Sequence, residues 1–296
     1  MLRKKNIKPV VAGNSSRTNP NKSGGSPNFS GQHFLHNKRA VRDLIETAKI
    51  TKKDVILEIG AGLGAITLPL AEKARIVIAF ENDATYVQKL IGKVKGESNI
   101  KIVPCDFMRG YLPREPFCVV SNIPFSITTP ILRKLLDDPS TPLQRAAIIL
   151  EKGAAKRFTS SVMTNPQLLS WRMRYDMKLV QTLPPSYFSP PPKVECCILS
   201  IWRKATPEVA CRYGTLFTGL AEWGLRNPKL PFGGAFSTVF TPQQLKHLAS
   251  SLGIDRDKPV YTLNEREWGV IFQTMLDHVP SYRWPKTSHS QKRKRD

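Results

Sequence analysis

The sequence predicts an α/β fold: a mostly parallel sheet with helices on both faces, followed by a smaller helical region. Two observations lead there. Short, continuously apolar, β-branched runs alternate with helical patterns from Lys38 to Leu150, and after about Lys204 the periodicity is helical to the end. Strands that are apolar along their whole length are buried on both faces, as in a parallel sheet between helix layers. A helix is expected over Lys38–Ala48, then a strand over Val55–Ile59 that runs into glycines. A helix from about Ala65, a strand at Ile76–Phe80 and a helix at Ala84–Val94 follow. Strands at Ile100–Val103 and Phe117–Ser121 precede a helix near Pro130–Leu136 and a very apolar run at Ala146–Leu150. Val194–Trp202 alternates, compatible with an antiparallel strand added at the sheet edge. Proline and glycine breaks at Asn227–Gly234 interrupt the helical end, and there is no internal repeat.

A chain of 296 residues is long enough for one large domain with a small one, and 45 lysines and arginines against 23 acids leave a net charge of +22. Such an excess attracts polyanions, with counterion release on phosphate contact supplying much of the affinity; the same charge also serves solubility alone. The five cysteines form no C-x-x-C pair, so neither a disulfide framework nor a zinc site is expected, and no metal. Reduced thiols, the lack of a signal-peptide-like apolar stretch and of a membrane-length run predict a soluble, cytoplasmic protein. Residues 1–28 read as a disordered basic arm, 29–203 as the main α/β domain, 204–283 as a small helical domain and 284–296 as a basic tail. The run Lys292–Arg295 in that tail fits an import signal, an RNA-binding tail or a solvated end equally.

Directly after the first main strand comes Glu58-Ile59-Gly60-Ala61-Gly62-Leu63-Gly64, then a helix. Glycines in a strand–turn–helix setting permit a tight turn and let a ligand approach the backbone. The next strand ends at Glu81-Asn82-Asp83, where an acid meets ribose hydroxyls, and a carboxylate can accept from both. The third ends at Cys105-Asp106-Phe107, an acceptor for an adenine amino group beside a ring that can pack on it. Glycines, an acid and another acid at successive strand ends match ligand binding at the carboxyl edge of an open α/β sheet. Together these residues resemble the class I (Rossmann-like) S-adenosylmethionine-dependent methyltransferases. A nicotinamide enzyme shares the geometry, but the G-x-G-x-G spacing disfavours it.

The fourth strand ends at Ser121-Asn122-Ile123-Pro124-Phe125, similar to the N-[IL]-P-[FY] motif of methyltransferases that act on exocyclic amines. An aniline-like amine is a poor nucleophile because its lone pair is delocalised into the ring. The Asn122 amide oxygen and the Ile123 carbonyl can each accept from the NH₂ group, localising that pair on nitrogen. Pro124 stiffens the turn, and Phe125 can stack on the extruded base. The alternative is an ordinary Asn-Pro-type turn after a strand. A base reaching such a pocket must leave its helix.

Gly31-Gln32-His33-Phe34-Leu35 resembles the [SG]-Q-N-F-L segment of rRNA adenine dimethyltransferases, with His33 in place of asparagine. Tyr187-Phe188-Ser189-Pro190-Pro191-Pro192-Lys193-Val194 looks like their F-x-P-x-P-K-V motif. The resemblance implies that Gln32, His33 and Leu35 help enclose the methionine end of the cofactor. It also implies that Glu58, Gly60, Gly62, Gly64, Glu81, Asn82, Asp106, Phe107 and Asn122 hold the rest of S-adenosylmethionine. Asn122, Ile123, Pro124, Phe125 and Phe188 would face the target base. Asn122–Phe125 and the stretch Glu151–Phe158 resemble the Erm type, which methylates an adenine of 23S rRNA and confers macrolide, lincosamide and streptogramin B resistance. The KsgA type, which dimethylates small-subunit rRNA, more often carries N-L-P-Y.

The implied partner is 23S rRNA before full ribosome assembly, met by a monomer, with no membrane contact. Arg133, Lys134, Lys152, Lys156, Arg157, Arg172 and Arg174 are the expected phosphate contacts, while Trp171 and Tyr175 read as core. A non-catalytic nucleic-acid-binding factor of the same fold and a DNA adenine methyltransferase are the other readings. An intact Asn122–Phe125 weighs against the first, and the asparagine in place of an acidic D-P-P-[YF] against the second.

Overall fold

A computed structural model describes residues 32–286, so Gly31, the arm expected at 1–28 and the Lys292–Arg295 run lie outside the described residues. The strands are β1 (Phe34–Leu35), β2 (Val55–Ile59), β3 (Ile76–Phe80), β4 (Ile100–Val103), β5 (Phe117–Asn122), β6 (Leu143–Glu151), β7 (Tyr175–Leu183), β8 (Phe188–Ser189) and β9 (Cys196–Arg203). The helices are α1 (Lys38–Thr47), α2 (Thr67–Ala71), α3 (Ala84–Lys93), α4 (Thr128–Leu136), α5 (Lys152–Thr159), α6 (Pro166–Arg172), α7 (Gly214–Gly224), α8 (Phe232–Ala235), α9 (Pro242–Leu252) and α10 (Glu265–His278). Seven strands form one sheet in the order β4-β3-β2-β5-β6-β9-β7, and β1 pairs separately with β8. β4 to β6 are mutually parallel across the sheet, whereas β9 runs antiparallel to both β6 and β7.

The chain leaves β2 toward β3 and β4 on one side, then returns to β5 and β6 on the other. Strand order therefore reverses between β2 and β5, and in an open α/β sheet that reversal opens a crevice at the carboxyl ends. The side chains of the central strands split cleanly by the two-residue period of extended chain. Val55, Leu57 and Ile59 of β2, Val119 of β5 and Ala146, Ile148 and Leu150 of β6 enter one apolar core, with α4 on that face. Ile56, Cys118, Val120, Ala147 and Ile149 enter the other, under α1 and α2. The first core continues into the C-terminal helices through Phe217, Leu220, Trp268, Ile271 and Met275.

Two strand expectations are corrected. β9 is not an edge strand: it lies between β6 and β7, and Cys196 to Ile201 are all buried. The edge is β7, which the sequence reading passed over. Its residues alternate between covered and exposed, because one face of an edge strand meets solvent and only the other meets the core. Trp171 and Tyr175 are core residues, as expected. All five cysteines are free, and burial pushes the Cys118 and Cys197 thiols up to about 11. Among the described residues no helix is long and apolar enough to cross a membrane.

The C-terminal helices pack closely at Gly224. A Cβ there would sit 2.6 Å from Trp268 Cη2 and 2.7 Å from Phe236 Cζ, whereas one at Gly234 would meet nothing within 4 Å. Gly224→Ala should destabilise by about 1–3 kcal/mol through overpacking, read as a lower Tm. Gly234→Ala should leave Tm unchanged or slightly raised, and an equal loss in both variants would refute the packing account.

Candidate active site

The glycine loop turns back on itself because three of its residues take left-handed conformations: Gly60, Gly62 and Gly64 have φ of 75°, 53° and 80°. Gly60 and Ala61 N–H groups donate to the Phe80 carbonyl at 2.8 and 2.9 Å, tying the end of β2 to the end of β3. Glu81, 5% exposed, completes that tie. Its Oε2 accepts from Gly62 N at 2.7 Å, and its Oε1 accepts from Asn82 N and Asp83 N at 2.9 Å each. A carboxylate has about four acceptor directions, so roughly one remains for a ribose hydroxyl. Gripping both hydroxyls requires that a backbone donor be shared or released.

Asn122 closes β5. Its Nδ2 donates to the His33 carbonyl at 2.7 Å, which fixes the amide orientation, and its Oδ1 is buried without a hydrogen-bond partner. An unpaired buried acceptor costs about 1–3 kcal/mol, so a polar atom kept in this state calls for a functional reason. Pro124 (φ −61°) turns the chain into a short 3₁₀ segment, Phe125–Ile127, from which α4 departs. The Phe125 ring is half-buried and lies against the His33 imidazole, centroids 5.7 Å apart. Ser121 holds β5 level with β2: its hydroxyl donates to the Ile59 carbonyl at 2.6 Å and accepts from Ile59 N at 3.2 Å.

The third wall follows β4. Asp106 Oδ1 accepts from Met108 N at 2.9 Å, and Phe107 packs edge-on to Phe80 with centroids 5.4 Å apart. This loop is clamped by Lys134, whose Nζ donates to the carbonyls of Phe107 (2.6 Å), Met108 (3.0 Å) and Gly110 (2.5 Å). Desolvation lowers the Lys134 pKa, with Asp106 opposing that shift.

A cavity of about 260 Å³ gathers Gln32, His33, Gly60, Gly62, Glu81, Asn82, Asp106, Phe107, Asn122, Ile123, Pro124 and Phe125. This donor set fits S-adenosylmethionine. Glu81 and Asp106 supply acceptors of the kind that ribose hydroxyls and an adenine amine would use, the glycine backbone leaves room, and Phe107 offers an apolar wall. Leu35, Glu58 and Gly64 do not line it. They face a neighbouring cavity of about 800 Å³ that shares Gly60 and Asn122 with the first. Phe188, expected beside the base, is 2% exposed and belongs to the apolar cluster on which Phe125 packs. Its strand, β8, pairs with β1.

The expected phosphate contacts separate on burial and partners. Arg174 is 5% exposed, and its Nη2 donates to the Leu136 carbonyl at 2.5 Å, inside the core, so it is not a surface cation; Lys134 is half-buried and engaged as the loop clamp. Arg133 donates to Gln167 Oε1 at 2.7 Å, Lys152 pairs with Glu195 at 2.9 Å, and Arg172 pairs with Glu265. Lys156 and Arg157 are exposed on α5 and line a groove of about 530 Å³ that reaches Thr129, just beyond the catalytic turn. The Lys134 clamp and the Ser121 tie escaped the sequence reading. Ser121 left a trace, as a polar residue inside the apolar run Phe117–Ser121.

Glu58 is 1% exposed, accepts from the Thr67 hydroxyl at 2.6 Å, and is pushed by burial from its ordinary 4.5 up to about 8. It is therefore largely neutral at pH 7. Because the folded chain holds this proton more tightly than the unfolded one, its contribution is complete below about pH 4.5 and is lost as pH rises through about 8. Glu58→Gln keeps a neutral group and cannot ionise. The Tm of the variant relative to the parent should therefore be higher at pH 8 than at pH 5 in cofactor-free protein; parallel pH curves would contradict a protonated Glu58.

The family model described as "Ribosomal RNA adenine dimethylase" matches residues 27–276. An "rRNA adenine N-6-methyltransferase" of Bacillus licheniformis is 45% identical over 265 residues, covering 90% of this chain and 92% of its own. A "Ribosomal RNA small subunit methyltransferase A" of Alkaliphilus oremlandii is 28% identical over 255 residues, covering 81% of this chain and 88% of its own. Among solved structures, the 23S rRNA methyltransferase ErmE matches with a TM-score of 0.74 at 22% identity, over 82% of this chain and 100% of that one, a likeness of fold.

Proposed function

The chain belongs to the ribosomal RNA adenine dimethylase family, and from that premise we propose that it methylates N6 of one adenine in 23S rRNA. It is an rRNA adenine N6-methyltransferase that uses S-adenosylmethionine. The observation that carries the amine chemistry is the buried, unpaired Asn122 Oδ1 at the edge of the 260 Å³ cavity. The cofactor, when bound, supplies an electrophilic methyl on a sulfonium. Asn122 Oδ1 and the Ile123 carbonyl accept the two amine hydrogens, which localises the nitrogen lone pair and aims it. Phe125 stacks on the extruded base, and the closed turn excludes water from the amine. Glu81, Asp106 and the glycine backbone hold the nucleoside end of the cofactor, and the backbone bonds that fix them leave little to reorganise on binding.

Support for the large-subunit target is the higher identity to the N-6-methyltransferase than to the small-subunit enzyme, together with Phe125 in the tetrapeptide. Lys156 and Arg157 are the best-placed phosphate contacts, since both are exposed beside the groove leading from the catalytic turn. The enzyme acts as a cytoplasmic monomer on rRNA that is not yet fully assembled. Methylation removes N–H donors and adds bulk where macrolide, lincosamide and streptogramin B antibiotics dock, and so confers resistance.

Incubation with labelled cofactor and protein-free 23S rRNA, 16S rRNA or 30S particles, followed by primer extension, should place label on a single 23S adenine. Label confined to small-subunit adenines would transfer the chain to the small-subunit type, and label on no RNA would end the methyltransferase reading. Asn122→Ala should reduce the methylation rate by about 10²–10³-fold, the scale of losing one preorganised transition-state contact. Phe125→Ala should cost less. Binding of S-adenosylhomocysteine, measured by calorimetry, should be nearly unchanged in both; its loss with the fold retained would assign Asn122 to the cofactor instead.

A further inference from the structure

The His33 side chain touches two separate parts of the site. The imidazole Nδ1 lies 2.8 Å from the Pro190 carbonyl oxygen. A carbonyl only accepts, so Nδ1 carries a proton and donates in this contact. The ring leans on Phe125 with an interplanar angle of 30°. The main-chain oxygen of the same residue accepts the Asn122 amide. One residue thus grips three parts of the site: the segment after β8, the aromatic ring and the amide. On its C-terminal side, Phe34 and Leu35 pair with Ser189 and Phe188, so this short strap is anchored at one end by the ribbon and at the other by His33.

We propose that the His33 side chain is a positioning residue for the target base, deciding which face of Phe125 the extruded adenine meets and keeping the Asn122 amide turned with its oxygen toward the amine. This rests on the N6-amine reading above. A base inserted between two rings needs about 7 Å, twice the 3.4 Å stacking rise. The His33 and Phe125 centroids are 5.7 Å apart, so no base fits between them. Adenine must take the opposite face or the free edge of Phe125, which makes the slot one-sided. The tether to Pro190 has a second effect. If the strap swung away, the His33 carbonyl would leave Asn122 Nδ2, and the amide could flip to present NH₂ to the incoming NH₂, donor against donor. The ring therefore protects the one buried acceptor that the reaction uses.

The test compares the parent with His33→Ala, His33→Phe and His33→Asn, with kcat measured on unmodified RNA and base seating read separately on RNA that carries 2-aminopurine, which has no N6 amine and is not turned over, at the adenine located by primer extension. His33→Ala should lower kcat by about tenfold or more, since an ångström of misplacement can cost on the order of a hundredfold. Its affinity for S-adenosylhomocysteine should fall by less than kcat does, because His33 lines the cofactor cavity but the contacts on β2 to β4 are untouched. His33→Phe keeps the stack but loses the N–H to Pro190, and His33→Asn loses the stack but keeps an N–H that can donate there, so both should retain more kcat than Ala and less than the parent. The seated base should be quenched by stacking in the parent and brighter in the Ala variant. Unchanged kcat and quenching in Ala would overturn the proposal. So would a loss of Tm and cofactor binding in step with kcat across all three variants, which marks a structural residue only. Failure of the parent to methylate any RNA would instead remove the N6-amine reading.

Discussion

Parallel pairing of β2 with β5 is the constraint on which the site depends. The ladder runs Val55↔Phe117, Ile56↔Cys118 and Leu57↔Val119, and beyond it the Ser121 hydroxyl bonds both the N–H and the carbonyl of Ile59. The two strands therefore end level, with Gly60 beside Pro124: a Cβ at Gly60 would lie 3.8 Å from Pro124 Cδ. The strand order reverses at this pair, and the glycine loop and the turn after β5 face one another there. The acids at the ends of β3 and β4 extend the same edge. Shifting the register by one residue would invert every side chain of β5 and exchange its two cores.

Around that crevice most polar groups are already satisfied by the protein. Glu81 collects three backbone N–H groups, Lys134 bridges three carbonyls, and Asn122 Nδ2 is held by His33. These bonds immobilise the loops before any ligand arrives, so little reorganisation is left to accompany the chemical step. Asn122 Oδ1 is the exception, a buried acceptor left open. Glu58 solves the burial of a carboxyl in another way, by staying protonated against the Thr67 hydroxyl. One buried oxygen is left without a protein donor while the buried Glu58 carboxyl keeps its proton.

The basic character of the chain is less uniform than its net charge implies. Arg174 braces the interior, Lys134 is tied to loop carbonyls, and Arg133, Lys152 and Arg172 have protein partners. Lys156 and Arg157 remain turned outward beside the groove at Thr129. Charge in a sequence reports how many cations there are; whether a cation meets a phosphate or a main-chain carbonyl depends on what folds against it.

Much of the architecture was legible in contiguous residues. Whole-apolar strands, glycines after Ile59, acids after Phe80 and Cys105, and Asn122–Phe125 after β5 are local patterns, and the parallel sheet brings their order along the chain to one edge. What the sequence by itself determined was this sequence of strand ends and the type of chemistry they carry, because backbone period and turn composition are properties of neighbouring residues. Only the tertiary structure decided that β9 is central and β7 the edge, that Phe188 is buried, that Lys134 clamps a loop, and which way the Asn122 amide faces. Each of those outcomes is a pairing between segments far apart in the chain. A donor's identity is written in the sequence, but its acceptor is chosen by whichever group the packed core brings within about 3 Å of it.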